Sequence, residues 1–276
     1  MKKNIIFGSS GLIGLSFYTL FKNNKKYIFY SNTDTRFKRF NLNLSLKKFP
    51  VKEVDICYFF ASPRILKKNF KNNNFRKEFN WLKNIITNIK IRKLIYISSS
   101  SIYYQKDHII GSIKKKCEKY IIKNKNFFSN YQIWRPFNLI GKNYVQSDHF
   151  HNLLFKKMFL NKKKKFTFSG NLLDKRGYSD VNDFSKVLNK YSKKNISFIK
   201  NYGNKDLVYI SDIIDLYNVY YEKINGRKFE SKFKSKKINI RSVRSKKNAV
   251  FYNKKSLLIF KKYLNKSINE KKVQHL

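Results

Sequence analysis

The chain has 276 residues, enough for one large domain or one domain with a smaller companion. Hydrophobic residues make up 42%, so a sizeable core can be buried, while 62 Lys+Arg against 16 Asp+Glu give a formal net charge of +46. The two cysteines imply no disulfide framework, and no run of about 18 uncharged apolar residues is present to span a membrane.

A charge of this size fits a nucleic-acid binder. Ten of the 62 basic residues are Arg, however, and the rest are Lys scattered along the whole chain. Lys, Asn, Ile, Phe and Tyr are abundant together, and all have AT-rich codons, so an AT-rich genome is the simpler source. A basic balance alone gives only non-specific attraction to phosphate. No specific nucleic-acid partner is expected. The first run, Lys3 to Phe7, reads as a strand with no signal-peptide h-region. With the unpaired cysteines this gives a cytoplasmic expectation.

In chain order, Asn4–Phe7 reads as a buried strand, Leu12–Lys22 as a helix and Tyr27–Tyr30 as a second strand. A weaker third strand lies near Phe40–Leu44 and a fourth at Asp55–Phe60. Phe75–Ile89 is helical, with apolar residues at Phe75, Phe79, Leu82, Ile85, Ile86 and Ile89. Leu94–Ile97 is a fifth strand, Ser112–Ile122 a helix and Tyr131–Trp134 a sixth strand. Strands alternating with helices predict an α/β fold with a parallel, doubly wound sheet. This dinucleotide-type domain is expected over 1–145. A smaller substrate-binding α/β part, partly interleaved with the first, is expected over 146–276.

After Gly141 the rhythm loosens. Helices are predicted over His149–Leu160, Val181–Tyr191 and Lys254–Leu264, and strands at Phe166–Phe168, Ser197–Lys200 and Ile238–Ile240. Ser211 reads as the N-cap of a helix running to Ile224. Residues 223–237 read as a Lys-rich loop and 266–276 as a frayed tail.

The first strand runs into Gly8-Ser9-Ser10-Gly11-Leu12-Ile13-Gly14, and a helix follows. Gly8 permits the tight turn, Gly11 lets the backbone approach a pyrophosphate, and Gly14 lets helix and strand pack closely. The helix N-terminus then offers free N–H groups and a positive dipole end. The turn, with Ser10, Leu12 and Ile13, is the expected dinucleotide site, with NADP or NAD as cofactor. Ser31 stands at the end of strand two, where an NAD-preferring site places an acid, and Arg36 follows. That pair leans the expectation toward NADP.

The glycine spacing, G-x-x-G-x-x-G, resembles that of the extended short-chain dehydrogenase/reductases, the NAD-dependent epimerase/dehydratase family acting on nucleotide sugars. Other stretches carry the resemblance in order along the chain. They are Asp55-Ile56-Cys57-Tyr58-Phe59-Phe60-Ala61-Ser62, Leu94–Tyr103 with its serine-rich turn, Ile133-Trp134-Arg135-Pro136-Phe137-Asn138-Leu139-Ile140-Gly141, Arg176–Asp183 with Gly177 replacing an acid, and Asn201-Tyr202-Gly203. The resemblance implies that Phe60, Ala61, Ser62, Arg135 and Pro136 flank the cofactor. It places Asn138, Arg176 and Arg241 toward a nucleotide-linked sugar, and implies a role in surface polysaccharide assembly and a homodimer.

The family's chemistry uses a Ser or Thr with a Tyr-x-x-x-Lys pair on one helix face. The Lys binds the nicotinamide ribose and lowers the Tyr pKa, and the Tyr acts as general acid/base. The resemblance puts Ser99 at the serine and Lys114 at the lysine, with Gly111 and Glu118 also in register. The tyrosine position is Ile110. Three readings stay open: a cofactor-binding relative without catalysis, a different proton donor such as Tyr103, Tyr104 or His108, or a shifted alignment. His149 and His151 have no acid or thiol cluster beside them, so no metal site is expected. Arg241 and Arg244 suit a diphosphate or a solvated surface equally.

Overall fold

The computed structural model describes residues 3–44, 49–63, 74–103, 108–141, 150–160, 165–169, 171–234, 240–241 and 249–274. The chain divides into two compact units. One comprises Met1–Pro136 with Val181–Asn201, the other Phe137–Asp180 with Tyr202–Leu276.

The first unit is built on β1 (Asn4–Phe7), β2 (Tyr27–Ser31), β3 (Lys38–Arg39), β4 (Glu53–Phe59), β5 (Lys90–Ile97) and β6 (Asn130–Pro136). They stand in the order β3-β2-β1-β4-β5-β6, followed by the strand Phe198–Asn204. All the pairings from β3 to β6 are parallel. This is the 3-2-1-4-5-6 order of a Rossmann sheet. β1 is buried along its whole length, as a central parallel strand must be. The core is aromatic-rich: Phe7 lies 5.6 Å from Tyr30 and 5.7 Å from Phe49, ring centre to ring centre.

Helix α1 (Leu12–Phe21) follows β1, α2 (Arg76–Asn88) follows β4, and α3 (Ile109–Lys123) follows β5. The helix Val181–Ser192 returns to this unit. Ser16 of α1 explains the return. Its hydroxyl donates to the Val181 carbonyl (3.2 Å) and to Asn182 Oδ1 (2.7 Å), and lies 2.8 Å from the Ser185 hydroxyl. Lys93 of β5, fully buried, closes the far end of that helix. Its ammonium donates to the carbonyls of Ser192 (2.5 Å) and Lys194 (2.9 Å), a cation at a helix C-terminus.

In the second unit, Leu139–Ile140 runs parallel to Ser179–Asp180. Lys175–Gly177 pairs antiparallel with Leu207–Tyr209 and parallel with Ile240–Arg241. Ala249–Tyr252 is the sheet neighbour of Phe198–Asn204. Among the described residues, no helix is long and apolar enough to cross a membrane, and no three His, Cys, Asp or Glu gather as a metal site would need.

Several boundaries differ from the expectations. The third strand is Lys38–Arg39, and residues 42–44 form a turn. α3 begins at Ile109 rather than Ser112, because His108 caps it: Nδ1 accepts from the Gly111 N–H at 3.1 Å. The helix Ile210–Asn225 is capped at Tyr209, not Ser211. Asp212 supports that cap by accepting the Tyr209 N–H at 2.8 Å. Part of the expected Lys-rich loop is a strand, Glu230–Lys234, parallel to Lys165–Ser169. The expected tail is instead the continuation of a helix, Ser256–Gln274. Within the described residues, the helix expected over His149–Leu160 is α-helical over Phe150–Phe155 and passes into a π-turn over Lys156–Leu160. Tyr104, His149, Ile238, Asn239 and Arg244 lie outside the described residues.

Candidate functional site

The glycine turn links the buried end of β1 to α1, and each glycine meets a different constraint. Gly8 has φ +86°, and a Cβ there would stand 2.5 Å from the Ala61 nitrogen. A Cβ on Gly14 would stand 2.3 Å from the Gly8 carbonyl oxygen. Both are therefore fixed by the protein's own packing. Gly11 is not: its φ is −80°, and among the described residues a Cβ would meet only the Gly8 oxygen at 3.4 Å. The open space above Gly11 faces outward, since the residue is exposed. Gly11 is also the N-cap of α1. Among the described residues no side chain caps that end, and the first turn carries no acid. A positive helix end with open backbone suits an anion. Ser10, Leu12 and Ile13 share this turn.

Beside it, Phe60 continues from β4, its N–H donating to the Phe7 carbonyl at 2.9 Å, and the Phe60–Ala61 backbone forms the wall against Gly8. Ser31, buried at the end of β2, donates to the Ser10 hydroxyl at 3.0 Å. Arg36 is already engaged. Asp34 takes it through two hydrogen bonds, 2.9 and 2.6 Å. Those bonds hold the Asp34 carboxyl below the usual range. A 2′-phosphate on Arg36 would therefore compete with Asp34.

Two buried ion pairs lie on one face of α3, a turn apart. Lys114 donates to Glu78 Oε1 of α2 at 2.6 Å and to the Ile97 carbonyl of β5 at 2.8 Å. The two side chains are 8% and 1% exposed. Glu78 also accepts from the Tyr96 hydroxyl (2.7 Å) and, through Oε2, from Ser62 (2.6 Å). Burial, and then the Glu78 charge, pushes the Tyr96 phenol well up, so it remains a donor. One turn on, Glu118 accepts from Ser98 and takes Arg135 in a two-pronged pair at 3.0 and 2.6 Å. Arg135 also donates to the Tyr103 hydroxyl at 2.9 Å, and that hydroxyl donates to Asn201 at 2.9 Å. Tyr103 is 54% exposed.

Ser99 follows β5 and is half-buried; its hydroxyl accepts from the Ser101 N–H at 3.1 Å. Ile110 is half-buried in the first turn of α3. Gly111 packs against the serine-rich turn, where a Cβ would stand 2.3 Å from the Ser101 carbonyl oxygen. Pro136 ends β6. Glu78 escaped the sequence reading, although a signal was present: it sits at helical spacing with Leu82, Ile85 and Ile86, on a face where an unpaired acid would be costly.

In the second unit, Asn138 adopts φ 30°, and its side chain donates to the Gly177 carbonyl at 3.1 Å. Gly177 has no room for an acid. A Cβ there would stand 2.4 Å from the Asn204 carbonyl oxygen. Arg176 faces Asp174 at 3.5 Å, and its buried Nε has no hydrogen-bond partner among the described residues. Arg241 is the register partner of Arg176. His151 is buried, its ring 6.2 Å from Tyr178 and 6.1 Å from Phe260.

No family model and no curated protein matches this sequence. Solved structures match it over most of its length. "MoeE5 in complex with UDP-glucose and NAD" is 14% identical over 93% of this chain and 91% of that one, with a TM-score of 0.70. UDP-glucuronic acid 4-epimerase from Bacillus cereus in complex with NAD is 23% identical over 86% and 89%, TM-score 0.66. RMD from Pseudomonas aeruginosa complexed with NADPH is 15% identical over 88% and 90%, TM-score 0.68. With the strand order of the sheet, these likenesses establish that the chain has the Rossmann-type α/β fold of those enzymes.

Proposed function

We propose that this chain belongs with the nucleotide-sugar epimerases, dehydratases and reductases, and that it binds NAD or NADP at the Gly8–Gly14 turn. The observation that carries the reading is Gly11. Its neighbours are glycines because the protein needs the space, whereas the space at Gly11 is left for something else. The cofactor's pyrophosphate would lie on the backbone of Gly8, Ser10, Gly11, Leu12, Ile13 and Gly14 at the positive end of α1. Ser31 and Arg36 would meet the adenosine ribose, and Phe60, Ala61, Ser62, Arg135 and Pro136 would flank the dinucleotide. Ser99 and Lys114 would serve the nicotinamide side. Asn138, Arg176 and Arg241 would serve a sugar nucleotide, for which two arginines in register suit a diphosphate. The nicotinamide, when bound, supplies hydride transfer. The UDP-sugar, NAD and NADPH bound in the similar structures support the same reading. A cytoplasmic location, a homodimer and a role in surface polysaccharide assembly go with it by analogy alone.

In the catalytic form of this reading the proton passes through Tyr103, which is exposed and has its hydroxyl held by Arg135 and Asn201. A second reading, dinucleotide binding without turnover, is favoured by the half-buried Ile110 one turn before a Lys114 already paired with Glu78. Turnover of UDP-glucose, UDP-glucuronate and UDP-N-acetylglucosamine by wild type and Tyr103→Phe separates the two. Turnover lost on Tyr103→Phe, with dinucleotide affinity kept, supports the catalytic form. No wild-type turnover despite dinucleotide binding supports the second.

A further inference from the structure

We propose that Glu78 is a positioning residue that neutralises Lys114 and draws its ammonium onto α2 and β5, so that the first turn of α3 presents no effective cation at position 110. This deepens the reading of the site above, on which the meaning of position 110 rests.

Three observations carry it. First, residues 110 and 114 both lie within α3, four apart, so their side chains share a face about 5–6 Å apart at Cβ. A cation at 114 would normally act on whatever stands at 110. Second, Lys114 is spoken for: two of its three donors go to Glu78 and the Ile97 carbonyl. Third, Glu78 is itself locked. Tyr96 and Ser62 occupy its remaining reach from β5 and from the end of β4, so it cannot swing away with the lysine. A buried acid and a buried base 2.6 Å apart act on a third group as a dipole, not as a charge.

Ile110 is therefore not the sole departure from a working tyrosine–lysine pair on this face. A phenol put back at 110 would find no lysine charge to favour its phenolate. Proton transfer from this helix needs two changes, Ile110→Tyr and release of Lys114 from Glu78. The other ionisable groups around the pair are Tyr96 and Cys117, both held protonated by burial, and Glu118, tied to Arg135. At the start of α3 stand His108, its N-cap, and Tyr103 in the turn before it, whose hydroxyl is engaged by Arg135.

The test is an ultraviolet difference titration of the full chain without added dinucleotide. Ile110→Tyr is compared with wild type, and Ile110→Tyr/Glu78→Gln with Glu78→Gln. With Glu78 intact the new phenol should titrate near the ordinary tyrosine value of about 10. In the Glu78→Gln background it should show about tenfold more phenolate at a given pH below that value. A phenol equally easy to ionise in both backgrounds overturns the proposal. If Glu78→Gln does not fold, the single variant still decides: a new phenol titrating well below the ordinary range with Glu78 intact contradicts the inference. Calorimetry with the four nicotinamide dinucleotides is read separately. Its failure would remove the cofactor reading and leave the Glu78–Lys114 result standing.

Discussion

Glu118 on α3 and Arg135 on β6 face each other through two parallel hydrogen bonds, 3.0 and 2.6 Å long, and so tie a helix to the sheet beneath it. Glu118 is buried, and Arg135 keeps about a fifth of its side chain exposed. Breaking such a pair leaves a largely buried guanidinium without its anion. Glu118→Gln should cost about 3 kcal/mol of stability, read as a lower denaturation midpoint with an unchanged slope. A change within about 0.5 kcal/mol would show that the pair is only a surface contact.

The turn glycines should separate cleanly. Gly14→Ala forces a Cβ onto the Gly8 carbonyl and Ser9 backbone, and overpacking of this kind should cost about 3 kcal/mol. Gly11→Ala should cost less than about 1 kcal/mol, as expected at an N-cap with space around it. Thermal melts of the two variants check this. Equal losses would mean that the space at Gly11 is needed by the protein itself.

Lys93 donates to two carbonyls at and past the end of the helix Val181–Ser192. Lys93→Met keeps the length and removes the donors. Depriving the buried Ser192 carbonyl of this donor should cost about 2 kcal/mol. Burial, with Arg92 beside it, lowers the Lys93 pKa below the ordinary lysine value of 10.5. The unfolded chain therefore holds its proton to higher pH than the folded one. Wild type should gain stability relative to Lys93→Met as pH rises toward the ordinary lysine value, and lose that gain as pH falls through the lowered one. A difference between the two proteins that is flat from pH 8 to about 10.5 would refute this.

Cys57 and Cys117 are both buried. Burial, then the nearby Glu78 charge, pushes the Cys117 thiol up to about 12, and burial raises Cys57 as well. Neither should react with iodoacetamide at about pH 8 in the folded protein, and both should react in denaturant. Fast labelling of the native chain would show that the first unit opens readily.

Much of the first unit was legible in the sequence, because its signals are local. Short apolar runs bounded by turn residues marked β1, β2, β4, β5 and β6, and the glycine spacing marked the turn into α1. What was not legible depends on distant partners. Val181–Asn201 belongs with the first unit through Ser16, about 165 positions away in the chain. The last helix was expected to stop at Leu264, and its continuation to Gln274 was hidden by its own lysines, which read as a tail from composition alone. The spacing of Glu78 with Leu82, Ile85 and Ile86 marks its inward face, but its partners Lys114, Tyr96 and Ser62 come from three other elements.

If the turn from β1 to α1 holds a nicotinamide dinucleotide, substitution at Gly11 must show it. Wild type, Gly11→Ala and Gly11→Val should be titrated calorimetrically with NAD, NADH, NADP and NADPH, each variant first shown to melt as a folded protein. Wild type should bind at least one of the four, Gly11→Ala should weaken that binding, and Gly11→Val should abolish it where the pyrophosphate must approach the backbone. No binding of any of the four by wild type at millimolar concentration, or equal affinity in Gly11→Val, would mean that the turn is not a dinucleotide site.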